Sequence, residues 1–173
     1  MSYVDTSIIV AALDKLDPRQ KLAQEVLEKE ENKKISELVL AELASILSRK
    51  ESMLLEISRK IKVREELIVP AAILYIMKRF KLSYKSINGY KRISIVGNLY
   101  SPFATAVDIS PKFRLKTLDL LHLAYAKTLI EQGEEINELI TVDNDFERER
   151  EAIKQELNVK VKALATPSDS IKS

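Results

Sequence analysis

The 173 residues are 46% hydrophobic and contain no Cys, enough for one domain with a substantial core and incompatible with disulfides, thiolate zinc sites or cysteine nucleophiles. The net charge of +2 hides an uneven distribution. Residues 1–60 carry ten basic and eleven acidic side chains, 61–117 eleven and three, and 118–173 seven and twelve, giving −1, +8 and −5, so an anion-attracting block adjoins an acidic final third.

The opening MSYVDTSIIVAAL has no basic leader, and the longest uncharged apolar run, LIVPAAILYIM at 67–77, is short and contains Pro. Neither a signal peptide nor a membrane span is expected, and a soluble cytoplasmic protein is the default. Gly is scarce and no stretch is low in complexity, so a single domain over 1–165 with a short tail at 166–173 is expected.

In chain order, β-branched stretches at 2–5, 34–36, 93–97 and 139–142 read as strands. VKVKAL at 159–164 alternates with period two, as an edge strand does. Between them lie helical patterns. Pro18, behind a capping Asp17, opens QKLAQEVLEKEE, because Pro at the first helical position lacks a donor that would be unpaired anyway. Ser36 leads into ELVLAELASILSRK, whose Leu40, Leu43, Ala44 and Leu47 are spaced for a buried stripe. Helices fill 51–80, and Thr117 caps LDLLHLAYAKTLIEQ before Gly133 ends it. Strands alternating with helices require a mainly parallel sheet, so the fold class is α/β with five strands and helices on both faces. In such sheets ligands bind beyond the carboxyl ends of the strands, where the strand order reverses.

Acids recur at those ends. Asp5 closes the first strand and is followed by Thr6 and Ser7; Asp143 follows Thr141 at the fourth, with Asp145 two residues on. Glu42 lies beside the apolar stripe of its helix, and Asp119 opens the otherwise apolar DLLHLAYA. Singly, each also reads as a turn, cap or solvated helix residue. Together, four converging carboxylates repel by about 3 kcal/mol per pair at roughly 5 Å and an effective dielectric near 20, which only protonation or a cation relieves. An all-oxygen set favours Mg²⁺ or Mn²⁺ over Zn²⁺, and such ions suit phosphoryl chemistry.

The order YVDTSIIVAAL, SELVLAELASIL, LKTLDLLHLAYA, ELITVDNDF resembles a PIN domain, closest to the VapC-type toxin ribonucleases of toxin-antitoxin pairs, over about 2–164. The resemblance implies a metal-dependent ribonuclease with Asp5, Glu42, Asp119 and Asp143 as catalytic, metal-holding acids and Asp145 as an additional one. Hydrolysis of an RNA phosphodiester by in-line attack of activated water would leave a 5′-phosphate and a 3′-hydroxyl. Thr6, Ser7 and Thr141 match hydroxyl positions near the metal, while from the residues alone they serve equally as turn and cap residues. His122 shares the helical face of Asp119 and reads as a packed or hydrogen-bonded structural residue. A small antitoxin and a homodimer are the implied partners.

Glu42 and Asp119 are farther apart than compact members of the family need, and the excess falls in 51–92, expected as a helical extension. Lys81, Lys85, Lys91, Arg92, Lys112, Arg114 and Lys116, interleaved with Tyr84, Tyr90, Tyr100 and Phe113, read either as an RNA grip for single-stranded or looped RNA or as a solvated face. Three rival functions remain in view. A phosphotransferase with an aspartyl nucleophile lacks its second Asp, because Ser7 stands there. A PIN-like module that binds RNA or protein without cutting and an RNA-processing nuclease outside any toxin-antitoxin system both share the acids.

Overall fold

A computed structural model describes residues 1–61 and 63–164; the tail expected at 166–173 lies outside the described residues. The strands are β1 (Ser2–Val4), β2 (Lys33–Ile35), β3 (Leu82–Tyr84), β4 (Tyr90–Ile93), β5 (Gly97–Tyr100), β6 (Glu138–Thr141) and β7 (Lys160–Ala163). The helices are α1 (Thr6–Leu13), α2 (Gln20–Lys29), α3 (Glu37–Arg49), α4 (Glu51–Ser58), α5 (Ile68–Arg79), α6 (Ser101–Ile109), α7 (Thr117–Glu131), α8 (Asn144–Arg148) and α9 (Arg150–Leu157).

Five strands form one parallel sheet in the order β3-β2-β1-β6-β7, with Tyr3 opposite both Lys34 and Leu139. The chain walks outward from β1 to β3, then crosses back to β6 and walks outward to β7. Crossovers of one hand running in opposite directions put their helices on opposite faces. The reversal falls between β1 and β6, so the carboxyl ends of these two strands frame the crevice where ligands bind in open α/β sheets.

The sheet's centre is apolar because it is covered on both sides: Tyr3, Val4, Ile35, Leu139 and Ile140 have no exposed surface. Helix α3 buries Val39, Leu43 and Leu47 at four-residue spacing, one residue round from the expected Leu40–Ala44 pair. Helix α7 is buried over most of its circumference, from Leu121 through Ala126 and again at Thr128 and Leu129; its small Ala residues permit close packing. Gly133, at φ 90°, ends it in the left-handed region that glycine adopts without a Cβ clash.

One expected strand is corrected. Residues 93–97 are not a sheet strand but the turn of an antiparallel hairpin outside the main sheet, in which β4 pairs with β5 and Ile93 faces Gly97. A three-residue loop closed by a residue at positive φ makes this turn, and Gly97 at φ 97° supplies it. The β-branched Ile95 is 98% exposed at the tip, so β propensity here reflects a turn flank rather than a core strand. The fifth sheet strand is instead β3. It is three residues long, joined to α5 through Lys81 at φ 50°, and its Leu82-Ser83-Tyr84 lacks the β-branched residue that marks β1 and β2. Of residues 51–92, expected as a helical extension, Glu51–Ser58 and Ile68–Arg79 are α-helices, with a 3-10 turn at Glu65–Leu67, and β3 and most of β4 follow.

Two helix starts also shift. Helix α2 begins at Gln20 rather than Pro18, and Asp17 caps the preceding turn, its side chain accepting from the Arg19 amide at 2.8 Å. Thr117 is the first residue of α7, with Lys116 at the cap.

Candidate active site

Four chain-distant acids line one cavity of about 330 Å³: Asp5 directly after β1, Glu42 from α3, Asp119 from the first turn of α7 and Asp143 just beyond β6. Parallel strands end on the same side of the sheet, so acids placed after β1 and β6 must meet there. Asp145 stands at the rim, its two oxygens taken by Lys116 at 2.8 Å and Arg148 at 2.9 Å.

The hydroxyls that the sequence left between turn and site roles bind the acids. Asp5 Oδ2 accepts from Ser7 Oγ and, at 2.7 Å, from Thr141 Oγ1. Thr6 Oγ1 donates to Glu42 Oε2. Thr141 Oγ1 also accepts from the Asp143 amide at 3.0 Å, and Asp143 Oδ1 in turn accepts from the Asp145 amide at 2.8 Å, capping α8. A continuous hydrogen-bonded line therefore runs from β1 to α8, fixing carboxylate orientations before any ligand arrives.

His122 is buried and hydrogen-bonded, as its helical face suggested, and its partners are the acids themselves. Its Nε2 lies 2.8 Å from Glu42 Oε2 and 3.2 Å from Asp5 Oδ1. Carboxylates only accept, so Nε2 carries a proton. The other ring nitrogen, Nδ1, lies 3.0 Å from the Tyr3 hydroxyl, which is 2.8 Å from Ser36 Oγ. Tyr3 thus locks the ring from behind.

The electrostatics follow from this packing. Burial, reinforced by Asp143, Asp5 and Asp145, pushes Asp119 up to about 6. Burial opposes a charged His122, but its hydrogen bond to Glu42 and the nearby acids outweigh that and raise it above its ordinary value. Burial works against ionised Glu42 as well, yet the hydrogen bonds from His122 and Thr6 hold it below the usual range. Two groups of candidate ligand atoms each lie within 4.8 Å of one another: Asp5, Glu42 and His122, and Asp119, Asp143 and Asp145. This oxygen-rich donor set fits a hard divalent cation.

The basic block is less open than its count suggests. Lys85 pairs with Glu134, Lys91 with Glu131, Lys112 with Glu156 and Lys116 with Asp145. Lys81, Arg92 and Arg114 are exposed without an ion pair among the described residues. Phe113 is core, the hydroxyls of Tyr84 and Tyr100 reach Glu37, and Tyr90 is 75% exposed. Of the seven basic residues, Lys116 alone bonds to an acid of the site. Sequence reasoning overlooked Arg19, which lines the cavity; the only hint was a basic residue following Asp17 and Pro18.

No helix of the described residues is long and apolar enough to cross a membrane. No curated protein matches the chain. Among solved structures it is similar to VapBC2 from Rickettsia felis bound to a DNA fragment from their promoter, at 19% identity and TM-score 0.52, covering 94% of this chain and 98% of that one. It is also similar to VapC20 of Mycobacterium tuberculosis, a Sarcin-Ricin loop cleaving toxin, at 15% identity and TM-score 0.56, covering 86% and 94%. These likenesses are of fold. The family profile described as PIN domain matches residues 2–151, and with the sheet order and the acids at the β1/β6 crevice already in place, the chain belongs to the PIN domain family.

Proposed function

We propose that this protein is a metal-dependent endoribonuclease of the VapC type, hydrolysing RNA phosphodiester bonds in the acidic cavity. The observation that carries the reading is the meeting of Asp5, Glu42, Asp119 and Asp143, from four separate elements, at one crevice. Such a cluster is costly unless a cation neutralises it. Mg²⁺ or Mn²⁺ would be held by these acids, with Asp145 at the rim. When bound, the ion neutralises phosphate oxygens and lowers the pKa of water.

The chain's own groups then divide the work. Ser7 and Thr141 hold Asp5, while Thr6 and His122 hold Glu42, so neither carboxylate has to reorganise when substrate enters. Lys116 presents a cation at the mouth, where an RNA strand would arrive. The products expected are a 5′-phosphate and a 3′-hydroxyl. A toxin role brings a small antitoxin and a homodimer as partners; the similarity to a VapBC complex supports the first.

A second reading has its own observation. His122 already bridges Asp5 and Glu42, and Lys116 with Arg148 already neutralise Asp145, as a PIN-like binder that holds RNA without cutting would also tolerate. Incubation of the protein with RNA in Mg²⁺, Mn²⁺ or EDTA separates the two. Cleavage that needs the cation and disappears in Asp5→Asn supports the nuclease; intact RNA under all conditions, or cleavage indifferent to Asp5→Asn, supports the binder.

A further inference from the structure

Arg19 is the one permanently cationic side chain among the described residues lining the acidic cavity. Its fork is held by Asp17, with Nε at 3.0 Å from Oδ1 and Nη2 at 2.8 Å from Oδ2, while Nη1 donates to the Val142 carbonyl at 2.9 Å. Both partners of the pair are largely buried, their side chains 21% and 17% exposed. Three of the five guanidinium N–H groups are thereby committed. The remaining two, one on each terminal nitrogen, have no acceptor among the described residues.

A pair between residues two positions apart ties no distant elements together; it fixes the direction of the fork. Helix α2 is already anchored by buried Ala23 and Leu27 and by Gln24, which donates to the Ala12 carbonyl at 2.7 Å. An Arg whose rotamers are locked in advance loses little further freedom on meeting a ligand, and its planar donors match phosphate oxygens. Apart from His122, which is engaged by Asp5 and Glu42, the other ionisable groups on the cavity wall are carboxylates, Asp17 included, that repel a polyanion. We infer that Arg19, oriented by Asp17, binds a phosphate of the RNA strand lying across the cavity. The inference rests on the nuclease reading for the identity of the ligand.

The test is fluorescence anisotropy with a labelled single-stranded RNA, in an Asp119→Asn background so that the strand is not cut. Each phosphate contact with a single strand contributes about 0.7 to the slope of log affinity against log salt. Arg19→Gln is expected to lower that slope by about 0.7 between roughly 50 and 200 mM salt. Arg19→Lys keeps the slope, and Lys29→Gln, on the exposed far end of the same helix, leaves it unchanged. An unchanged slope in Arg19→Gln, with or without a lower thermal midpoint, overturns the inference and leaves Arg19 a clamp on the Val142 carbonyl. Should Arg19→Gln fold poorly, the inference is judged on Arg19→Lys against its parent: a slope lowered by the same amount overturns it, because the retained charge should preserve the contact. Failure of the nuclease reading looks different: the unsubstituted protein leaves RNA intact in Mg²⁺ and Mn²⁺ while the Arg19 contribution to binding persists.

Discussion

The acidic crevice and the β4–β5 hairpin both lie outside the apolar cluster, but they are held in opposite ways. In the crevice, Asp5, Glu42, His122 and Thr141 bond to one another, and Asp5, His122 and Thr141 are buried. In the hairpin, Tyr90, Arg92, Ile95 and Val96 face solvent, and the turn depends on Gly97. A buried polar network is stabilising only when complete, so each member constrains the others; an exposed turn constrains little beyond its own φ angle. Mutational sensitivity should therefore be concentrated in the crevice and nearly absent at the hairpin tip.

The largest effect is expected at Asp119. On the proposed nuclease reading, Asp119→Asn should reduce cation-dependent cleavage by about 100-fold or more, since an ion held there would supply several kcal/mol of transition-state stabilisation and Asp119 would be one of its ligands. The same variant should melt higher than the parent in EDTA, because one repelling charge is gone. Cleavage assays and thermal melts on the same preparation read both, and loss of cleavage with a lower melting point would mean the site was unfolded rather than disarmed.

Next come the hydroxyls. Thr141→Ala should reduce cleavage by about 10- to 100-fold, the range for groups that orient metal ligands. It removes the Thr141 hydrogen bonds to Asp5 and to the Asp143 amide. A titration of activity against Mg²⁺ should show the loss as a weaker apparent cation affinity; an unchanged titration would make Thr141 a cap residue alone.

The pH dependence of the cation-free protein is a smaller test. Asp119 binds its proton more tightly folded, up to about 6, than unfolded, near 3.8, so folding stability should fall as pH rises through that window. His122, raised above 6.5, loses its contribution in the same direction at higher pH. Glu42, held below 4.5, acts oppositely, losing its contribution as pH falls through its folded value. Melts in EDTA between about pH 5 and 6 should thus show a declining midpoint that Mg²⁺ removes. A midpoint that rises over this range would contradict the crowding of acids around Asp119.

The smallest change is expected at the hairpin. Ile95→Ser should shift stability by no more than about 0.5 kcal/mol in a denaturant titration, as exposed substitutions usually do. A loss of several kcal/mol would show that the tip is covered by a partner and would erase the contrast between the two regions.

Much of this architecture was legible in the chain. Strands β1, β2, β6 and β7 lie within a residue or two of their expected places, because each is a β-branched stretch between helical patterns, and Asp5 and Asp143 could be placed at a shared edge because parallel strands end on one side. β3 was not legible: it is as short as β1 and β2, but its Leu82-Ser83-Tyr84 holds no β-branched residue to mark a strand. Nor was the hairpin, whose β-branched residues read as a strand until Gly97 is seen to turn the chain.

The sequence by itself determined the α/β class, the burial of α3 and α7 and the nomination of the acids, all properties of spacing along one element. Only the tertiary structure decided that His122 bridges Asp5 and Glu42, that Arg19 lines the acidic wall, and that four of the seven basic residues are already paired. Local pattern reports which face of an element is apolar. The partner a charged side chain meets depends on how separate elements cross, and that is recorded only in three dimensions.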